Sequence, residues 1–86
     1  MANWGGSPKV TLFEKPNFCG CRLEVYRNLP ELGNFDNSVS SAVVHEGDWA
    51  LYSEIKYSGA RLVIKEGQCY ATLPGVNNAA SSICKM

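Results

Sequence analysis

Two six-residue stretches contain most of the side chains in this chain that could do chemistry. Residues 36–41 read DNSVSS and residues 77–82 read NNAASS, so each pairs two Asp or Asn residues with a later Ser-Ser. A hard cation such as Ca²⁺ takes roughly six to eight oxygen ligands at ~2.3–2.6 Å, from carboxylates, amides, hydroxyls, carbonyls and water. The stretches supply such oxygens from Asp36, Asn37, Ser38, Ser40 and Ser41, and from Asn77, Asn78, Ser81 and Ser82.

Neither stretch fits an EF-hand loop. There is no D-x-D-x-D-G sequence and no glutamate at the twelfth loop position. The alternative interpretation is structural, because Asp, Asn and Ser clusters commonly form Asx-turns and ST-turns or cap another element. Two stretches at matching places in the chain favour the cation over the turn.

Other constellations carry less chemistry. His45 is the single histidine, and no G-x-S-x-G nucleophile motif or Gly-rich phosphate loop is present. We therefore expect His45 to lie in a surface turn and the chain not to be an enzyme. Four cysteines permit up to two disulfides. Cys19 and Cys21 would share a strand face but are poorly placed to bond each other, and their C-x-C spacing disfavours zinc, so we expect buried thiols or structural disulfides.

The composition limits the size and the partners. Eighty-six residues, 45% of them hydrophobic, suit one domain with a modest core. Eight basic residues balance eight acidic ones, which argues against nucleic-acid binding. Apolar runs are too short for a membrane span, and no signal peptide is recognisable at the N-terminus, so localisation stays open. We expect a monomer, with weak self-association as an alternative.

The elements that must position these residues are short strands. Strand-like segments at 9–13, 22–26, 41–44, 49–52, 61–64, 69–73 and 81–85 alternate with turns rich in Gly, Pro, Asn, Asp and Ser. In 22–26, Leu23 and Val25 fall on one face. Trp49 begins an apolar strand and is expected in the core, and residues 29–35 could hold a single helical turn. The pattern predicts an all-β sandwich or small barrel.

The chain also contains an internal repeat. Phe13, six residues and Gly20 correspond to Tyr52, six residues and Gly59, and both glycines are followed by an Arg-Leu pair. DNSVSS corresponds to NNAASS in the same order. Each unit of about four short strands suits a Greek key, with a hairpin folded back on itself and covered by its aromatic ring.

These residues resemble the βγ-crystallin family, in which two Greek keys form a two-sheet wedge. The aromatic-to-glycine signature and the calcium motif N/D-N/D-X-X-S/T-S both occur twice. The double motif is similar to that of single-domain microbial and invertebrate members. The resemblance implies one domain at 8–86, with motif 1 at about 8–46 and motif 2 at about 47–86, preceded by a tail at 1–7.

The resemblance also implies two Ca²⁺ sites, each shared between the motifs. Each loop gives ligands from its first three positions, its fifth-position serine crosses to the other site, and each hairpin gives a carbonyl just after its aromatic. The first site would use Glu14, Asp36, Asn37, Ser38 and Ser81. The second site would use Ser53, Asn77, Asn78, Ala79 and Ser40.

The two predicted sites are not equivalent. The third loop position is Ser38 in the first site and Ala79 in the second, and only the first loop begins with a carboxylate. Fewer side-chain oxygens and less charge predict weaker binding at the second site. The predicted function is calcium binding that stabilises the fold. The alternative on the same fold is a secreted effector with disulfides, a protease inhibitor or antimicrobial toxin.

Overall fold

The computed structural model describes residues 8–35, 38–73 and 79–86. Within them the chain forms two antiparallel β-sheets and one short 3₁₀ helix, Gly33–Phe35. The strands are β1 Val10–Lys15, β2 Cys19–Val25, β3 Ser41–Val44, β4 Trp49–Glu54, β5 Ser58–Ile64, β6 Cys69–Tyr70 and β7 Ser82–Lys85. The predicted all-β fold class is therefore confirmed.

The sheet order shows two interlocked Greek keys. One sheet has the order β2-β1-β3-β6 and the other β5-β4-β7. The first sheet is thus built from the first half of the chain plus β6 from the second half. In return, Leu29 from the first half forms a bridge with Ile83 of β7 in the second sheet. Each half therefore contributes one segment to the sheet of the other, which makes the two halves one folding unit.

The core lies between the sheets and follows the period-two pattern of the strands. Val10 and Leu12 of β1 are fully buried, and so is Leu51 of β4. Trp49 is 1% exposed, as its place at the start of an apolar strand predicted. Val25 is buried as well, while Leu23 is half-buried against the same core cluster. Strand alternation alone therefore indicated the inner face correctly.

The strand bounds differ from the predicted ones mainly at the hairpins. Residues 41–44 match β3, whereas β1, β2, β4 and β5 extend further toward their hairpin turns than predicted. The predicted strand 69–73 is reduced to two residues, and the Ala71 carbonyl instead accepts a hydrogen bond from the Asn17 amide at 3.0 Å. A contact with the other half of the chain thus replaces strand pairing there. The predicted helical turn is the 3₁₀ helix.

The cysteines contradict the sequence expectation. All four are free; Cys19, Cys21 and Cys69 are exposed and Cys84 is half-buried. The expectation of buried thiols or disulfides is therefore wrong, and the effector interpretation depended on those disulfides. Cys19 pairs with Lys15, but a register shift precedes the next pair, Phe13 with Arg22. Because Lys15 and Phe13 share a face, Cys19 and Cys21 lie on opposite faces, not on one.

None of the helical structure in the described residues has the length and apolar character needed to cross a membrane.

Candidate functional site

The two β-hairpins β1–β2 and β4–β5 have the folded-back shape that the repeat predicted. Asn17 and Phe18 have φ of 59° and 62°, and Lys56 and Tyr57 have φ of 57° and 61°. Residues other than glycine rarely adopt this left-handed backbone conformation. Four of them at matching positions show that both hairpins have the same defined turn geometry. The rings that cover the turns meet edge-on, Phe13 with Phe18 at 5.9 Å between centroids and Tyr52 with Tyr57 at 6.1 Å.

The last serine of each hexapeptide holds its hairpin in this shape. The Ser41 hydroxyl donates to the Lys15 carbonyl at 2.7 Å and accepts from the Phe18 amide at 3.0 Å. Ser82 does the same with the Glu54 carbonyl at 2.7 Å and the Tyr57 amide at 3.0 Å. Both serines are fully buried. We call these bonds the serine latches. Sequence analysis counted these hydroxyls among the cation-binding oxygens, but the structure assigns them to the hairpins.

The fifth-position serines, Ser40 and Ser81, lie one residue before the latches. Their exposed fractions are 2% and 5%. The Ser40 amide donates to the Phe13 carbonyl at 2.8 Å, and the Ser81 amide donates to the Tyr52 carbonyl at 2.7 Å. Each loop is therefore fixed at its end against the hairpin aromatic of its own half. In both halves, the next residue along the hairpin is a predicted carbonyl ligand.

Those predicted carbonyl ligands are Glu14 and Ser53, and both lie at an interruption of the strand ladder. The register of β1 and β2 shifts between Phe13 and Lys15, and that of β4 and β5 shifts between Tyr52 and Glu54. A bulge disrupts local ladder pairing and re-aims the backbone. The extra residue lies in β2 and in β5, so Glu14 and Ser53 are the residues opposite the two bulges, where regular ladder pairing is interrupted.

A series of backbone hydrogen bonds connects Ser81 with the first loop. The Ser81 carbonyl accepts from the Leu32 amide at 3.1 Å. The Leu32 carbonyl then accepts from the Phe35 amide, and the Phe35 carbonyl from the Ser38 amide, both at 3.0 Å. Ser38 is half-buried in the turn that follows the 3₁₀ helix. The structure therefore links two predicted ligands of the first site, Ser38 and Ser81, although they come from different halves of the chain.

Of the remaining predicted ligands, the structure describes Ala79. Ala79 is half-buried in a turn directly before Ala80 and Ser81. Asp36, Asn37, Asn77 and Asn78 lie outside the described residues. The described donors of both sites are hydroxyl and carbonyl oxygens, which fit a hard cation and not a soft one. The ligand chemistry of the described residues therefore fits Ca²⁺. These residues are Glu14, Ser38, Ser40, Ser53 and Ser81.

His45 and the cysteines form no site of this kind. His45 is exposed after β3, as predicted, and its Nε2 lies 2.9 Å from the Thr11 hydroxyl. Within residues 8–35, 38–73 and 79–86, no three His, Cys, Asp or Glu side chains group in a way that could hold a metal.

Comparison with known proteins agrees with this geometry. The sequence model of the Beta/Gamma crystallin family matches residues 9–84. Beta-crystallin A2 of Oryctolagus cuniculus is 38% identical over 60 residues, which cover 66% of this chain and 30% of that protein. This chain thus corresponds to under a third of that relative's length.

Two solved structures resemble almost the whole chain. A beta gamma crystallin from Ciona intestinalis superposes with a TM-score of 0.84 at 26% identity, covering 90% of this chain and 98% of that one. A betagamma-crystallin from an archaeon superposes with a TM-score of 0.83 at 26% identity, covering 93% and 99%. With the folded hairpins, the interlocked Greek keys and the family match in agreement, this chain belongs to the Beta/Gamma crystallin family.

Proposed function

We propose that this chain is a non-enzymatic calcium-binding domain in which two Ca²⁺ ions stabilise the fold. The first site is formed by Glu14, the loop at 36–38 and Ser81. The second site is formed by Ser53, the loop at 77–79 and Ser40. Both sets offer only oxygen ligands, of which most are neutral hydroxyls, amides and carbonyls.

The observation that carries the proposal is the placement of Ser40 and Ser81. Both residues are buried, 2% and 5% exposed, and their amides donate to the Phe13 and Tyr52 carbonyls, each one residue before a predicted carbonyl ligand. Each lies at the end of an acidic or amide-rich loop and beside a hairpin bulge. A plain polar turn at the surface needs neither the burial nor the bulge.

Stabilisation follows from the sharing of each site between the halves. Ligands from both Greek keys come together only in the folded chain, so the folded state binds the ion and the unfolded state does not. Such binding adds RT ln(1 + [Ca²⁺]/Kd) to the free energy of unfolding, ~2.7 kcal/mol at a hundredfold excess over Kd. That is a large fraction of the ~5–15 kcal/mol that holds a typical domain folded.

A thermal melt in chelator and in millimolar Ca²⁺ tests the proposal. For a domain of this size, ~2.7 kcal/mol raises the melting midpoint by on the order of 10 °C. The same concentration of Mg²⁺ should raise it much less, because Mg²⁺ demands tighter octahedral geometry and gives up water reluctantly.

A variant with both crossing hydroxyls removed, Ser40→Ala with Ser81→Ala, provides the control. Its midpoint in chelator reports the fold alone, and its calcium-dependent shift should shrink strongly. An unchanged midpoint of the unmodified chain between chelator and Ca²⁺ would refute calcium binding while leaving the fold untouched.

A further inference from the structure

The first sheet ends in an edge strand, β2, whose outward-facing side chains carry opposite charges. Arg22 and Glu24 flank Leu23, and their side chains are 65% and 41% exposed. Within the chain these two charges approach only to 3.8 Å, between Arg22 Nε and Glu24 Oε2. Among the described residues β2 pairs with β1 alone, so its other side presents backbone N–H and C=O groups to which a further strand can bond.

We infer that two copies of this chain form a weak dimer by antiparallel pairing of β2 with β2, centred on Leu23. The two-fold axis of such a dimer is perpendicular to the sheet, so the inner faces of both copies lie on the same side. Directly opposite residues of antiparallel strands share a face. The axis must therefore pass through a residue, and an axis through Leu23 places Arg22 of each copy opposite Glu24 of the other.

Charge and burial both select this register. An axis through Arg22 would place two guanidinium groups opposite each other, and an axis through Glu24 would place two carboxylates opposite each other. Like charges in directly opposite positions are destabilising, whereas opposite charges are stabilising. On the inner face, Leu23 pairs with the fully buried Leu12 and is itself half-buried. Leu23 of the second copy would cover its remaining exposed surface, which adds apolar burial to the charge pairs.

The matching edge of the second sheet, β5, lacks this charge pattern. Arg61 and Leu62 repeat the Arg-Leu pair of β2, but Val63 stands where β2 has Glu24. Pairing of β5 with itself around Leu62 therefore places Arg61 opposite an apolar side chain. Pairing of β2 with β5 gives one opposite-charge contact instead of two, and as a heterologous contact it leads to an open polymer. The β2–β2 dimer is the arrangement that satisfies all the charges of its edge.

The bulge in β2 limits the length of the contact and therefore its strength. The register of β2 against β1 shifts between the pairs at Cys19 and Arg22, so regular pairing runs only from Arg22 to Val25. Bulges turn an edge away from a partner strand. The contact is far smaller than a standard interface, and we expect a dissociation constant of ~0.1–1 mM. Added salt should weaken the dimer further, because both charge pairs lie at the surface.

Sedimentation velocity over a range of protein concentrations, at one fixed calcium concentration, measures the association. Arg22→Glu and Glu24→Arg should each raise the dissociation constant at least about tenfold, because each places like charges opposite each other twice. The variant that carries both changes restores the opposite charges and should dimerise like the unmodified chain. Arg61→Glu on the β5 edge is the matched control and should leave the dissociation constant unchanged.

An equimolar mixture of the two single variants gives the sharpest readout. The Arg22→Glu chain carries two carboxylates on β2 and the Glu24→Arg chain carries two guanidinium groups, so the mixture should dimerise more tightly than either variant alone. A chain that stays monomeric up to millimolar concentration would overturn the inference. So would a dimer that Arg61→Glu weakens as much as Glu24→Arg, or association that continues into polymers. Neither Arg22 nor Glu24 is a proposed calcium ligand, so these outcomes leave the proposed function untouched.

Discussion

The two halves of this domain share a backbone and differ in the side chains that support it. The hairpin glycines Gly20 and Gly59 have φ of 81° and 85°. Around them, Glu14 in the first half stands where the second half has Ser53, and Ser38 stands where it has Ala79. The hydrogen bonds of the serine latches, by contrast, have equivalent backbone partners and equal donor–acceptor distances in both halves. Hydrogen bonds to the backbone thus preserve the repeat, and side chains around the bulges and loops give each half its own properties.

Replacement of the hairpin glycines should produce the largest difference between the halves. A Cβ on Gly20 would meet Glu14 Oε1 and Lys15 Cγ at 3.1 Å, both on flexible side chains. A Cβ on Gly59 would collide with Ser53 Oγ and lie 2.7 Å from Glu54 Cγ. Gly20→Ala should therefore cost ~1–2 kcal/mol for the left-handed backbone, and Gly59→Ala at least ~1 kcal/mol more for the overlap. Urea unfolding of both variants measures the two losses.

The collision at Gly59 is costly because Ser53 is held in place. Its hydroxyl accepts a hydrogen bond from the Ala60 amide at 2.8 Å, so moving aside breaks that bond. Combining Ser53→Ala with Gly59→Ala should cost less than the sum of the two single changes. Additive losses, or equal losses for Gly20→Ala and Gly59→Ala, would show that the halves do not differ here.

The serine latches should show the opposite result, a close match between halves. Ser41→Ala and Ser82→Ala each remove a hydroxyl that makes two hydrogen bonds and leave a hairpin carbonyl and amide without that partner. Each should lower the free energy of unfolding by roughly 1–3 kcal/mol. Ser→Thr at the same positions, which keeps the hydroxyl, separates loss of the bonds from change of volume. Urea unfolding that gives a clearly larger loss in one half would contradict the shared latch.

Sequence alone predicted what repeats or alternates and missed what depends on distant contacts. The apolar strand that Trp49 begins correctly predicted its burial, period-two alternation put Leu23 and Val25 on the face that meets the core, and the doubled aromatic-to-glycine spacing indicated both folded hairpins. The segment after Cys69 was predicted as a longer strand because its residues suit one. Its Ala71 carbonyl is instead taken by Asn17 of the other half, a contact that no local pattern contains.

The same limit applies to the candidate site. The hexapeptide motif predicted which serines would matter but not that Ser41 and Ser82 hold hairpins while Ser40 and Ser81 lie buried beside the bulges. These roles differ between adjacent residues and depend on which backbone groups approach each hydroxyl in the folded chain. The bulge likewise moves Cys19 and Cys21 to opposite faces, which regular alternation could not predict.

The third loop position should give the smallest difference, and it bears most directly on calcium. Ser38 offers a side-chain oxygen and Ala79 does not, so the first site should bind more tightly. Ser38→Ala should weaken the first site by roughly tenfold, about 1.4 kcal/mol. Ala79→Ser should strengthen the second by a smaller factor, because an added hydroxyl must also be ordered. Calorimetry in the backgrounds Ser40→Ala, which leaves the first site, and Ser81→Ala, which leaves the second, measures the two affinities separately.

The exchange of both residues is the sharpest version of this test. In a chain carrying Ser38→Ala and Ala79→Ser together, the total number of side-chain oxygens is unchanged and only their distribution between the halves is reversed. If the third position sets the difference, the gap between the two intrinsic affinities should narrow markedly or change sign. A gap that survives the exchange would assign the difference to the first position instead, where Asp36 supplies a carboxylate and Asn77 an amide. Charge, and not the number of oxygens, would then be what distinguishes the two halves.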